Sequence, residues 1–186
     1  MAKTVLIPIA DGTEEIEAVC MIDTLRRAGA EVTVASVEPT LNITASRGVK
    51  LVADVLVSEL VERTFDLLAV PGGMPGAEHI RDAAPFTSLL KQQAEAGRLY
   101  AAICAAPVIV LQHHGLLQDR RATCFPGFAD QLLHAEAAAE RVVVDGNCVT
   151  SRGPGSAIEF ALKLVELLYD ADRAREVGSR MQVLGL

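Results

Sequence analysis

Leu99-Tyr100-Ala101-Ala102-Ile103-Cys104-Ala105-Ala106-Pro107 is an apolar strand that breaks at a cysteine and restarts as a helix. A tight strand-to-helix turn needs small neighbours around a reactive side chain, and Ala102, Ala105 and Ala106 supply them. Pro107 suits the first helical turn, where no amide donor is missed. A thiol held there faces unpaired N–H groups and the positive end of the helix dipole, which can lower a cysteine pKa from about 8.5 to roughly 3.5–7.5. The stretch therefore predicts a reactive cysteine with a depressed pKa. A merely buried core cysteine fits the same local pattern, since free cysteine is among the most buried residue types. A second loop of matching character weighs against that reading.

Working outward, apolar runs of strand length alternate with segments of helical period, the pattern of a mostly parallel sheet with helices on both faces. Strands are predicted at Thr4–Ile9, Glu31–Val37, Phe65–Val70 and Leu99–Ile103. Helices are predicted at Thr13–Ala28, Pro85–Ala96 and Pro107–His114, each stopped by a glycine. Ile43–Ala45 and Val49–Ala53 read as a short hairpin or edge strands, followed by a short helix near Ser58–Arg63. Arg141–Val144 and Cys148–Ser151 flank Asp145-Gly146-Asn147, a hairpin signal. The last predicted helix follows Gly155, with Ser156 and Glu159 as its capping box. The alanine run Ala135–Ala139 reads as helix filler, and Cys124 as a core residue of a short strand.

With 186 residues, 51% hydrophobic and 22% charged, the chain fits one α/β domain over 1–186. A net charge of −7 and scattered Lys and Arg argue against nucleic acid or an anionic membrane as partner. Arg26-Arg27 read as cations in the last turn of a helix and Arg120-Arg121 as a solvated loop. The first apolar run is too short for a signal peptide, and no run reaches the roughly 20 residues of a membrane span, so a cytoplasmic protein is expected. Cys20, Cys104, Cys124 and Cys148 lie far apart without a C-x-x-C pair, so reduced thiols are expected, with no disulfide framework and no zinc site. His79, His113, His114 and His134 lack metal-ligand spacing with them and read as solvated or helix-end residues.

Pro71-Gly72-Gly73-Met74-Pro75-Gly76 follows a strand, and glycines at the carboxyl end of a strand mark close backbone approach at the binding edge of a doubly wound sheet. The N–H groups of Gly73 and Ala105 are placed to form an oxyanion hole beside Cys104. Glu14, Glu15 and Glu17 lie in the first turns of a helix, where negative charge is favourable for structural reasons alone. A carboxyl buried against the cysteine would have its pKa raised and could move a proton, but spacing does not choose among the three. Ser151-Arg152-Gly153-Pro154-Gly155 lacks the Walker spacing and its lysine, so it reads as a loop that positions the Ser151 hydroxyl near the same edge, not as a nucleotide site.

Together, Pro71-Gly72-Gly73, Ala102-Ile103-Cys104-Ala105-Ala106-Pro107, Glu14-Glu15-x-Glu17 and Thr150-Ser151-Arg152-Gly153-Pro154-Gly155 resemble the ThiJ/PfpI superfamily, most closely the branch of the parkinsonism-associated deglycase and its bacterial relatives. The resemblance implies a flavodoxin-like three-layer sandwich, a homodimer, Cys104 as nucleophile, Glu17 as its protonated carboxyl partner, and the Gly73 and Ala105 amides as oxyanion hole. Gly72 and Ser151 join the candidate substrate-binding residues, with Arg47, on a loop at the dimer contact, near the partner's site. The implied activity is a cofactor-independent glyoxalase or deglycase acting on reactive aldehydes or on glycated protein and nucleotide adducts, without metal. The alternative is a redox-sensing stress protein or chaperone switched by oxidation of Cys104. Ala105 follows the nucleophile where the protease branches carry histidine, which argues against a Cys-His protease. Phe125 stands where the deglycase carries histidine, leaving Glu17 as the nearby acid/base and mildly favouring the redox reading. Ala45 and Val52 replace that protein's additional cysteines, so oxidation chemistry should centre on Cys104. A disulfide from Cys104 to Cys124 is a minor alternative, and a thiamine-precursor enzyme rests on no residue of this chain.

Overall fold

A computed structural model describes residues 2–183. Seven strands form one sheet in the order β5-β2-β1-β6-β7-β9-β8. They are β1 (Thr4–Ile9), β2 (Glu31–Ser36), β5 (Val55–Leu56), β6 (Leu67–Val70), β7 (Leu99–Ile103), β8 (Val142–Asp145) and β9 (Cys148–Ser151), while β3 (Asn42–Thr44) and β4 (Lys50–Val52) make a separate antiparallel hairpin. All pairings in the large sheet are parallel except β8 with β9. The chain thus forms the mostly parallel, helix-covered sheet that the alternation of runs predicts, in the flavodoxin-like arrangement that the resemblance implies.

Both sheet faces are buried, so β6, β7 and all of β1 after Thr4 run as continuous apolar stretches instead of alternating. In β1, Val5, Ile7 and Ile9 join Met21, Leu25, Phe160 and Leu164 in one core cluster, under α1 (Glu15–Arg27) and α4 (Ala157–Leu168). Leu6 points the other way, into a cluster with Leu68, Val70, Ile80, Phe86 and Leu90, under α2 (Gly76–Asp82) and α3 (Ala84–Glu95). Ala101 and Ala102 in β7 take opposite faces, and their small side chains let helices approach both sides.

Several expectations are corrected. The helix after Cys104 is π-helical over Pro107–Gln112, a wider coil often found beside functional residues. Ser58–Arg63 is only a 3₁₀ turn at Val57–Leu60, and the alanine run gives one at Ala135–Ala137. Cys124 is fully buried but on irregular backbone. The Ser156–Glu159 box does not form: the Ser156 hydroxyl bonds to Gly153 and Ser151, and Glu159 pairs with Arg141 at 2.6 Å. Of the Arg120-Arg121 pair, Arg121 is exposed as expected of a solvated loop, whereas Arg120 is only partly so: it bonds to the Asp145 carbonyl and the Asn147 amide oxygen and braces the β8–β9 turn. Two helices were not anticipated, α2, which starts inside the Gly/Pro loop, and α5 (Ala171–Arg180), most of whose residues are polar.

Among the described residues no helix is long and apolar enough to cross a membrane, and no group of His, Cys, Asp and Glu is arranged to hold a metal ion.

Candidate active site

Strand order reverses between β1 and β6, and in open α/β sheets the crevice outside the carboxyl ends of strands at such a point is the binding position. Three chain segments leave the sheet there or one strand away. The segment after β1 carries Glu17, that after β6 carries Gly72 and Gly73, and that after β7 carries Cys104.

Cys104 adopts φ +65°, a left-handed conformation that costs a non-glycine residue of order 1–3 kcal/mol and is held only where the surroundings over-determine it. Its surroundings do so. The Cys104 amide donates to the Ser151 carbonyl at the end of β9 (3.0 Å), and its carbonyl accepts from the Phe125 amide (2.7 Å). The backbone is clamped on both sides, and the side chain is turned up out of the strand.

The three glutamates at the start of α1 separate into three jobs. Glu14 caps the helix by accepting from the Glu17 amide at 2.8 Å. Glu15 holds the β3–β4 hairpin, accepting from the Ser46 hydroxyl and the Arg47 amide at 2.8 Å each. Burial pushes the Glu15 carboxyl up, but hydrogen bonds from its own amide, Ser46, Arg47 and Val49 prevail and hold it below its usual value. Glu17 is fully buried, and its Oε2 accepts from the Gly72 amide at 2.7 Å. Among the described residues no hydrogen bond reaches its Oε1; beyond the effect of burial, the Glu14 charge raises this carboxyl further and the Cys104 thiol lowers it.

The electrostatics reverse one expectation. Burial pushes the Cys104 thiol up to about 12, and the nearby Glu17 charge adds to the rise, while the Ala105 and Gly73 amides pull the other way. The two amides and the helix terminus that point to a low-pKa thiolate are present, but desolvation outweighs them. Burial also raises Glu17, to about 7, against the Gly72 hydrogen bond. Cys104 and Glu17 are therefore a coupled buried pair in which neither group readily carries charge alone.

The glycine loop is built for close approach. A Cβ on Gly72 would lie 2.7 Å from the Cys104 Cβ and 3.0 Å from both the Ala105 nitrogen and Glu17 Oε2. Gly73, at φ +89°, lies so close to the Gly12–Glu14 segment that a Cβ would fall 2.3 Å from the Glu14 nitrogen and the Gly12 oxygen.

Cys104, Glu17, Gly72, Gly73 and Ala105 thus converge on one point. Ser151 does not offer its hydroxyl there: it donates to the Arg141 carbonyl (2.7 Å) and sits 2.7 Å from the Ser156 hydroxyl, so this residue serves the site through its carbonyl. Arg47 is exposed on the hairpin, its guanidinium bonded to the adjacent Ser46 carbonyl at 3.3 Å. Cys124 packs in the core cluster opposite the one that holds Cys104, and burial raises its thiol to about 11. Gly153, not singled out from the sequence, borders the site: a Cβ there would lie 3.9 Å from both Cys104 Sγ and Glu17 Oε1.

A cysteine on a strained strand-to-helix elbow, faced by a buried carboxyl and two backbone amides, defines a cysteine-centred α/β protein of the nucleophile-elbow kind. More particularly, the DJ-1/PfpI family profile matches residues 3–167, and the chain belongs to that family. It is 49% identical over 179 residues to Protein DJ-1 homolog A of Arabidopsis thaliana, covering 95% of this chain and 46% of that protein. A second Arabidopsis relative is covered to 40%, so the chain spans about half the length of these plant relatives or less. It is 35% identical over 177 residues to the glutathione-independent glyoxalase DJR-1.2 of Caenorhabditis elegans, covering 93% of this chain and 91% of that one. The structure of oxidized Toxoplasma gondii DJ-1 superposes with a TM-score of 0.96 at 52% identity, covering 99% of this chain and 100% of that chain.

Proposed function

We propose that the chain is a cofactor-independent glyoxalase or deglycase in which Cys104 is the nucleophile and Glu17 the group that moves protons. The observation that carries this reading is the buried Cys104–Glu17 pair, with the carboxyl raised to about 7, near the pH where a general acid/base works best. The glyoxalase name borne by the nematode relative supports it.

In this reading Glu17 takes the thiol proton as sulfur adds to the aldehyde carbon of a 2-oxoaldehyde, so a standing thiolate is not required. The Gly73 and Ala105 amides stabilise the oxyanion that forms, and Gly72 leaves room for it. Glu17 returns its proton to that oxygen, then removes the hydrogen of the former aldehyde carbon as a proton and delivers it to the neighbouring carbonyl carbon, while the hydroxyl proton on the first carbon's oxygen passes to the second carbon's oxygen. The first carbon is oxidised to a thioester and the second reduced to an alcohol, so no external oxidant or reductant enters. Water cleaves the thioester, releasing the 2-hydroxy acid and restoring the thiol. Formation of lactate from methylglyoxal tests the reading, and it should require both side chains.

A second reading has its own support in the oxidized state of the Toxoplasma relative. Cys104 would be oxidised by peroxide to the sulfenic acid, with water leaving, and then to the sulfinic acid. The expected result is a mass gain of two oxygens on the Cys104 peptide after peroxide treatment; oxygen gained only on Cys20, Cys124 or Cys148 would rule it out.

A further inference from the structure

We propose that Phe125 is a specificity-determining residue of this site, an aromatic wall that favours carbonyl substrates carrying an aryl substituent over those carrying a methyl group. The proposal rests on the reading of Cys104 as the attacking group.

The ring lies beside the chemistry. From a Cβ position built on Gly153, Phe125 Cδ2 is 3.4 Å away and Cys104 Sγ and Glu17 Oε1 are each 3.9 Å away, so aromatic ring, sulfur and carboxyl all border that one position. On its other edge the ring meets Gly127, where a built Cβ would lie 3.3 Å from Phe125 Cε1. Phe125 is thus seated between two glycines, neither with a side chain to displace it. Its amide is fixed to the Cys104 carbonyl at 2.7 Å, so ring and thiol are anchored through the same hydrogen bond. Despite this seat the side chain stays 43% exposed and belongs to neither core cluster. A large apolar side chain held in place next to a nucleophile, with a face left open, is available to a ligand.

The space matches. A pocket of about 210 Å³ is lined by Phe125, Pro126, Arg152, Gly153 and Pro154 among others; Cys104 and Glu17 do not line it, and Gly153 is the lining residue that also borders Cys104 Sγ and Glu17 Oε1. An apolar cavity of about 150 Å³ accepts benzene, so a phenyl group fits. Two arginines border this pocket: Arg141 pairs with the Glu159 carboxylate and the Gly155 carbonyl, each at 2.6 Å, and Arg152 donates to the Ala139 carbonyl at 3.4 Å. The pocket offers an aromatic face and proline rings, against which an aryl group packs better than a methyl group. Aromatic pairs contribute about 0.5–1.5 kcal/mol beyond area burial, which at the upper end is about tenfold.

The test is alkylation of Cys104 by 2-bromoacetophenone and by bromoacetone, where the C–S bond forms as C–Br breaks and bromide leaves. Rates are normalised to a free small thiol, and measured on the wild type and Phe125→Ala. The phenyl-to-methyl rate ratio should be about tenfold higher in the wild type. Equal ratios in the two proteins, or no labelling of Cys104 by either reagent, would overturn the proposal. Phenylglyoxal and methylglyoxal turnover is measured alongside. If neither is converted while the alkylation ratio still falls in Phe125→Ala, the aromatic wall stands and the glyoxalase reading fails.

Discussion

Gly73→Ala should lower the melting temperature by about 8–16 °C, whereas Gly48→Ala should lower it by only about 2–8 °C. The two glycines share nearly the same backbone, φ +89° and +86°, so both substitutions incur the left-handed penalty of about 1–2 kcal/mol. They differ in what a new Cβ meets. At Gly48 nothing lies within 4 Å, while at Gly73 backbone atoms of Gly12 and Glu14 lie at 2.3 Å and cannot swing aside as a side chain would. The Gly12–Glu14 segment must move, and with it the Glu14 cap and the Glu14 amide bond to the Gly72 carbonyl. We expect a total cost of about 4 kcal/mol, and a protein of this size loses about 2–4 °C per kcal/mol. Melting temperatures equal within 2 °C for the two variants would show that the loop is not packed on the first turn of α1 as described.

Glu17→Gln should change how stability depends on pH. The Glu17 carboxyl is raised from 4.5 to about 7 in the folded protein, chiefly by burial. Between those values the folded state binds more protons than the unfolded one, so its stability falls as pH rises through that window. The wild type should therefore lose about 3 kcal/mol relative to Glu17→Gln between pH 4.5 and 7.5. Cys104 titrates well above this window. Glu15, Asp66 and Asp145, whose carboxyls are lowered in the fold, contribute in the opposite sense but equally in both proteins. Urea unfolding at several pH values measures the difference. Parallel stability curves would mean that Glu17 titrates as an ordinary carboxylate.

The elbow at Cys104 was legible because a strand of five apolar residues, three alanines and a proline leave few other conformations for the chain. The choice of Glu17 came from the family resemblance and not from helix phase, because Glu14 stands equally in phase with the apolar Ala18, Met21 and Leu25. Glu17, Met21 and Thr24 stand at i, i+4 and i+7, and all three are buried on the face of α1 that meets the sheet. The donors expected at the helix terminus do reach the sulfur, but the thiol pKa moves up, opposite to the direction they favour. A terminus is a local feature, whereas the burial that outweighs it comes from the β6 loop and α1, distant in sequence. The Ser151 hydroxyl was misplaced for the same kind of reason, since its acceptor, the Arg141 carbonyl, lies across the β8–β9 pair. α5 escaped notice because Ala174, Val177 and Gly178 give it a narrow buried face, although Asp170 caps it by accepting from the Arg173 amide at 2.8 Å. The place of Phe125 between Gly127 and Gly153 exists only after folding.

The most direct measurement is lactate formation from methylglyoxal by the wild type, Cys104→Ser and Glu17→Gln, each first shown to be folded. The account predicts turnover by the wild type, a loss of at least about 10³-fold in Cys104→Ser, and a loss of at least about 10²-fold in Glu17→Gln. Full turnover by either variant would contradict the assignment of that residue, and no turnover by the folded wild type would contradict the enzyme reading.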